Sequence, residues 1–177
     1  MVAVGVSGHR VLGDIEGVCD LIDTALEVIA TAHADVNLRI ISPLAEGADR
    51  MVAQQALDKL NASLVVPLPL PVSEYLQDFN TPESKAEFLR LLERAEEVLL
   101  LPNAGSREQC YLAAGMYVIK QCDILIVVWD GQPSRGTGGT AEIVHEARKL
   151  GLPIVWVHTS KRDPERITYE NFNQETT

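Results

Sequence analysis

The run Ile124-Leu125-Ile126-Val127-Val128-Trp129 holds six consecutive apolar residues with no polar residue between them. A strand with one wet face alternates polar and apolar side chains, so an unbroken run of this kind belongs to a strand covered on both faces. VAVGVS from Val2, LRIIS from Leu38, SLVVPLP from Ser63, EVLLLP from Glu97 and PIVWVH from Pro153 read in the same way. Between these runs, GVCDLIDTALEVIATAH and GADRMVAQQALDKL carry apolar residues at three- and four-residue intervals. So do the segments near Glu83 to Ala95, Cys110 to Gln121 and Ala141 to Leu150. Strand and helix patterns that alternate along a chain form βαβ units. The expected fold is α/β in three layers, a mostly parallel sheet of about six strands with helices on both faces.

The chain of 177 residues suits a single domain, 1–177, and the polar stretch KRDPERITYENFNQETT is expected to form a loosely held tail over 160–177. It starts MVAVGVSGHR, without a basic region ahead of an apolar one and without a long uninterrupted apolar segment, so neither secretion nor membrane spanning is expected and a cytoplasmic protein is. Cys19, Cys110 and Cys122 have no CxxC spacing and suggest reduced thiols rather than a disulfide framework. A formal charge of −10 repels nucleic acid over most of the surface, so an anionic ligand has to find a local positive pocket. His33, His145 and His158 lack metal-ligand spacing, and no metal or other cofactor is expected.

In a doubly wound sheet, ligands lie beyond the carboxyl ends of the strands, where strand order reverses. Three loops qualify: SGHRVLG after the first strand, SPLAEGADR after the second and DGQPSRGTGGTAE after the fifth. In the last, Gly136, Gly138 and Ala141 satisfy G-x-G-x-x-A, but the following strand ends in His158-Thr159 and not in the acid that would hold a ribose in a dinucleotide site. A single phosphate is the simpler occupant. Gly138 and Gly139 let backbone amides approach it, and the helix beginning near Thr140 aims its N–H groups at it. The plain alternative is a turning loop with Thr140 as N-cap. Glu142 sits in the first turn of that helix, where the dipole favours a carboxylate with or without a ligand.

In the first loop Ser7 and Gly8 allow close approach, while His9 and Arg10 offer donors to a phosphate. Its G-x-S-G pattern falls short of a nucleophile elbow. In the second loop Gly47 and Asp49 open a helix, and Asp49 serves either as a cap or as an acceptor for a ribose or base amine. Trp129 and Trp156 read as packing at strand ends. PLPLPVSEYLQDFNTPES reads as a flap whose Tyr75 and Phe79, four apart, either cover a base or pin the flap to the body.

Taken together, Gly5 to Arg10, Ser42 to Asp49 and CDILIVVWDGQPSRGTGGTAEIVHEARKLGLPIVWV resemble the SLOG superfamily, a Rossmann-like nucleotide-binding group that includes the Lonely Guy phosphoribohydrolases and the central domain of the DNA-processing protein A. The likeness runs from Val2 to about His158. It implies a Rossmann-like sheet whose late phosphate loop lies beside the first strand. It also implies a ligand that is a nucleotide or ribosyl phosphate, held by Ser7, Gly8, His9, Arg10, Gly47, Asp49, Gly138, Gly139 and Thr140. The phosphoribohydrolases carry P-G-G-x-G-T-x-x-E; three residues past Thr140 stands Ile143, and Glu142 is only two past it. The arginine those enzymes carry on the helix before the fifth strand has no counterpart in CYLAAGMYVIKQCD, where the only nearby cation is Lys120. The primary expectation is therefore a nucleotide-binding protein or sensor. The alternative is a nucleoside monophosphate N-glycosidase using Glu142. DNA binding is disfavoured by charge, and the base rate for soluble chains allows for a homodimer.

Overall fold

The protein is described by a computed structural model covering residues 1–133, 139–160 and 166–172. Seven strands form one sheet: β1 (Val2–Gly8), β2 (Leu38–Ile41), β3 (Ser63–Leu68), β4 (Glu97–Leu100), β5 (Ile124–Trp129), β6 (Ile154–His158) and β7 (Ile167–Glu170). They are joined by α1 (Ile15–Ala32), α2 (Ala48–Lys59), the single-turn α3 (Val72–Tyr75), α4 (Pro82–Glu93), α5 (Arg107–Gln121) and α6 (Thr140–Lys149). The strand order is β4-β3-β2-β1-β5-β6-β7, parallel throughout except for β7. The arrangement is Rossmann-like. No described helix is long and apolar enough to cross a membrane.

The apolar run that predicted a doubly covered strand behaves as its period demands. Ile124, Ile126 and Val128 of β5 join a core with Val18 and Ile22 of α1, Val52 of α2 and Phe88 of α4. Leu125, Val127 and Trp129 turn to the other face and pack with Val118 and Ile119 of α5 and Ile143 and Val144 of α6. Successive side chains of a strand point to opposite faces, so a strand clothed on both sides must be apolar at every position. Strand β4 is the exception. As an edge strand it leaves Val98 at 43 % and Leu100 at 58 % exposure.

The segment expected as a loose tail contributes the seventh strand. Residues Ile167–Glu170 pair antiparallel with β6, and Arg148 of α6 grips Glu170 through two contacts, Nε to Oε2 at 2.8 Å and Nη2 to Oε1 at 2.6 Å. Two-pronged arginine–carboxylate pairs fix geometry as well as adding attraction, which is how a short polar strand is held at the sheet edge.

Strand β1 lies between β2 and β5, so consecutive strands lead away from it on one side while a late strand flanks it on the other. The topological switch therefore falls between β1 and β5, and their carboxyl-terminal loops open side by side. That adjacency needs a glycine. A β-carbon on Gly8 would sit 2.5 Å from Ala48 Cβ and 2.7 Å from the Val128 carbonyl oxygen, far inside normal contact. Gly8→Ala is expected to cost about 1–3 kcal/mol through overpacking, read as a lower urea midpoint with the slope unchanged; wild-type stability would show that β1, α2 and β5 are not packed this closely.

Candidate functional site

The loop after β1 is pinned on both sides through its backbone. The His9 N–H donates to Val128 O of β5 at 3.0 Å, and the His9 carbonyl accepts from Ala48 N–H of α2 at 3.0 Å. Gly47 makes the second contact sterically feasible. Its φ of +78° lies in the region that favours glycine, and a β-carbon there would come within 2.5 Å of the His9 and Arg10 carbonyl oxygens. The sequence placed Gly47 among the ligand contacts; its backbone has this packing role, and it lines a separate pocket with Arg10 and Glu46 and not the two chambers described below.

The loop between β2 and α2 folds over a buried arginine. Leu44 adopts φ +59°, a conformation costly for a residue with a side chain. It is held there by Ser42 Oγ, which accepts from its N–H at 3.2 Å, and by Arg50 Nε, which donates to its carbonyl at 3.0 Å. Arg50 is 2 % exposed; its Nη1 donates to Ser84 O, Ser84 Oγ and Glu87 Oε2, each at 2.9 Å, and its guanidinium lies 4.2 Å from the centre of the Phe79 ring. Sequence reading assigned Arg50 nothing. Its only signal was position, one residue past Asp49 in the first turn of a helix.

Asp49 is 5 % exposed, and the Ala45 N–H reaches its Oδ2 at 3.3 Å. Among the described residues no cation stands within ion-pair distance of it, because Arg50 turns instead to α4. Burial pushes its carboxyl up to about 7, against the downward pull of the Ala45 amide and of the Arg10 and Arg50 charges.

Helix α6 supplies the third wall. Gly139, extended at φ −78° and ψ 163°, is its N-cap, and Thr140 is its first helical residue and not the cap. Among the described residues no side chain caps this end. The Glu142 and Ile143 amides turn back to the Gly139 carbonyl, at 3.0 and 3.3 Å. Such an end carries a partial positive charge. Gly138 lies outside the described residues.

Two chambers open among these loops. The inner one, of 90 Å³, is walled by Ser7, Arg10, Asp49, Tyr75, Tyr111 and Thr140. The outer one, of 460 Å³, is walled by His9, Trp129, Asp130 and Gly139. Gly8, Arg10 and Thr140 line both, so the chambers are one cleft at the β1/β5 switch. Arg10 is exposed, and its guanidinium rests 5.1 Å from the centre of the Tyr111 ring.

The structure thus brings Ser7, Gly8, His9, Arg10, Asp49, Gly139 and Thr140 to one place. Glu142, expected as the acid of a glycosidase, lines neither chamber. Asp130, which the sequence reading passed over, stands 2.9 Å from His9 Nε2, and its own N–H lies 3.3 Å from that nitrogen. Burial raises the Asp130 carboxyl, but the Gln132 amide and His9 outweigh it and hold the group below the usual range. One ring nitrogen of His9 is thereby engaged with Asp130. The presumed flap is pinned, not free: Tyr75 and Phe79 are each 1 % exposed and cluster with Phe88, their ring centres 5.0 to 5.5 Å apart. Trp129 stacks on Trp156 at 5.2 Å and donates from Nε1 to Gln132 O, so it packs as expected while forming part of the outer wall.

No family model matches the chain, and no curated protein matches it. Among solved structures it is similar to DNA processing protein A from Streptococcus pneumoniae, with a TM-score of 0.64 at 16 % identity over 92 % of this chain. The aligned part is 52 % of that protein, so the chain spans about half its length. At that identity the likeness establishes the Rossmann-like fold.

A carboxyl raised by burial ties stability to pH with a definite sign. The folded protein holds the Asp49 proton up to about 7, against 3.8 for an ordinary aspartate, so this contribution to stability is complete below pH 4 and is lost as pH rises toward 7. Asp49→Asn should therefore gain stability over the wild type across that interval and keep the gain at pH 8, by about 4 kcal/mol at most. Thermal unfolding of both proteins from pH 4 to 8 checks this; a difference that stays constant over the range would mean Asp49 is ionised throughout.

Proposed function

We propose that this chain binds a small phosphate-bearing ligand, a nucleotide or ribosyl phosphate, with its phosphate between Arg10 and the amino terminus of α6. The observation that carries the reading is the shared lining of the two chambers: Arg10 and Thr140 belong to both, at the one edge of the sheet where strand order reverses. A guanidinium supplies paired donors suited to phosphate oxygens, and the first amides of a helix that no described side chain caps add donors and a favourable dipole. In a protein of net charge −10 this is a local concentration of positive potential at the point where the fold places ligands.

Binding is favoured over glycosidic hydrolysis by helix phase. In the resembling phosphoribohydrolases the acid stands three residues past the threonine. Here that position is Ile143, which lines the inner chamber with Thr140, while Glu142 does not. An apolar side chain cannot move a proton. The name of the structurally similar protein refers to DNA, but the net charge of −10 opposes carrying that role across.

Thermal-shift and calorimetric titration with a panel of nucleoside mono- and diphosphates tests the proposal. A ligand at 100 times its Kd is expected to add about 2.7 kcal/mol. Arg10→Ala should weaken that ligand by roughly 10- to 100-fold, the loss of a charge-assisted contact worth about 1.5–3 kcal/mol. Equal affinity in the two proteins, or no stabilisation by any phosphate compound, overturns the reading.

A further inference from the structure

The inner chamber contains a group that phosphate binding does not use. Asp49 is a carboxylate more than nine-tenths buried, set in the same 90 Å³ space as Arg10 and Thr140, with the Ala45 amide at 3.3 Å and the Ser42 hydroxyl as its protein donors and no ion pair among the described residues. An ionised carboxylate offers about four acceptor positions, and a buried one ordinarily has them filled. A phosphate seated beside it would add repulsion, so Asp49 serves the opposite end of a ligand.

We infer that Asp49 recognises a vicinal diol, accepting hydrogen bonds from both hydroxyls, so that the cleft selects ribosyl over deoxyribosyl phosphates; this rests on the phosphate reading above. Three features favour hydroxyls over other donors. The Arg10 charge acts on Asp49 and disfavours a cationic group in the same chamber, which leaves neutral donors. Two adjacent hydroxyls match the two oxygens of one carboxylate, as a single amine does not. Pro43, Pro69, Ile143 and the two tyrosines, Tyr75 and Tyr111, line the same chamber, and this largely apolar wall suits the C–H surface of a sugar. The outer chamber, about five times larger, is left for whatever the sugar carries.

Hydrogen bonds to an ionised carboxylate are stronger than those to its protonated form. The charged and titratable groups that face Asp49 are Arg10 from the loop after β1, Arg50 from α2 itself, Tyr75 from α3 and, across the chamber, Tyr111 from α5. Burial holds both tyrosine hydroxyls above their ordinary range, while the Asp49 carboxyl is raised to about 7, so it titrates near neutrality.

The test compares the four ribonucleoside 5′-monophosphates with their 2′-deoxy forms, on wild type and on Asp49→Asn, at pH 6 and pH 8. Taking the ratio of the two affinities cancels the ionisation that their phosphates share. The wild type is expected to prefer at least one ribonucleotide over its deoxy form by roughly tenfold or more at pH 8, the value of one charge-assisted hydrogen bond, and by less at pH 6. Asp49→Asn is expected to bind both forms with the affinity of the wild type for the deoxy form, with no change of ratio between the two pH values. Nucleotide binding without ribose discrimination, or discrimination that survives in Asp49→Asn, overturns the assignment of Asp49 alone. If no nucleotide binds and inorganic phosphate does not protect the protein against thermal unfolding, the phosphate reading falls and this inference falls with it.

Discussion

Two hydrogen bonds from one residue's backbone hold the cleft open in its observed shape. The amide of His9 is fixed to β5 and its carbonyl to the first residue of α2. Side chains can be exchanged around such a joint, but its geometry is set by main-chain atoms and by the two glycines that let the strands and helix come together. Gly8 permits the contact between β1, β5 and α2, and Gly47 permits the β2–α2 loop to pass under the His9 and Arg10 carbonyls. Once those three elements are locked, Arg10 emerges at a defined place between them. The position of the one arginine common to both chambers is thus a consequence of backbone pairing at the sheet's switch point and does not depend on packing of the arginine itself.

Arg50 and Asp49 are neighbours in sequence, opposite in charge and both buried, yet they do not neutralise each other. Arg50 spends its donors on the Leu44 carbonyl, on Ser84 and on Glu87, with its flat face against Phe79. The pair of a buried Arg50 with a half-exposed Glu87 is poor evidence for stability, since desolvating the guanidinium offsets much of the attraction. Its use here is geometric. It fastens α4 and the left-handed turn at Leu44 to the start of α2, and it leaves the Asp49 carboxyl facing a cavity without a cation of its own. A protein selected for stability alone would pair these two side chains or replace both with apolar ones.

What the sequence made legible follows from which properties are local. Strands β1, β5 and β6 could be read because burial on both faces removes polar residues from every position, and that signature needs no knowledge of neighbours. Strand β7 could not, because Ile-Thr-Tyr-Glu is short, half-buried and antiparallel, and its anchoring depends on Arg148 in a different element. Gly8, Arg10, Asp49 and Thr140 could be expected at one cleft because they occupy loops or first helical turns directly after strands, where the fold class places ligands. Asp130 and Tyr111 were missed since each matters through a partner on another loop, His9 for the first and Arg10 for the second. Glu142, the acid of the alternative reading, lines neither chamber. Helical residues step about 100° around the axis, so Thr140 and Ile143 share a face while Glu142 is turned away from it.

An acidic protein that binds an anion must solve a problem of range. At distances beyond about 10 Å its net charge is screened by salt, and what an approaching phosphate meets is the local field of the cleft. There the positive elements, Arg10 and the end of α6, are common to both chambers, Asp49 lies in the smaller one, and Asp130, engaged with His9, lies in the larger. A ligand that is anionic at every position gains at the positive elements and loses at Asp49. One that is anionic at one end and rich in neutral hydroxyl donors at the other gains at both. On the proposed reading, the order in which charge is laid out along the cleft, more than its total, sets the chemistry it accepts, and that order comes from three loops delivered by β1, β2 and β5 to a single edge of the sheet.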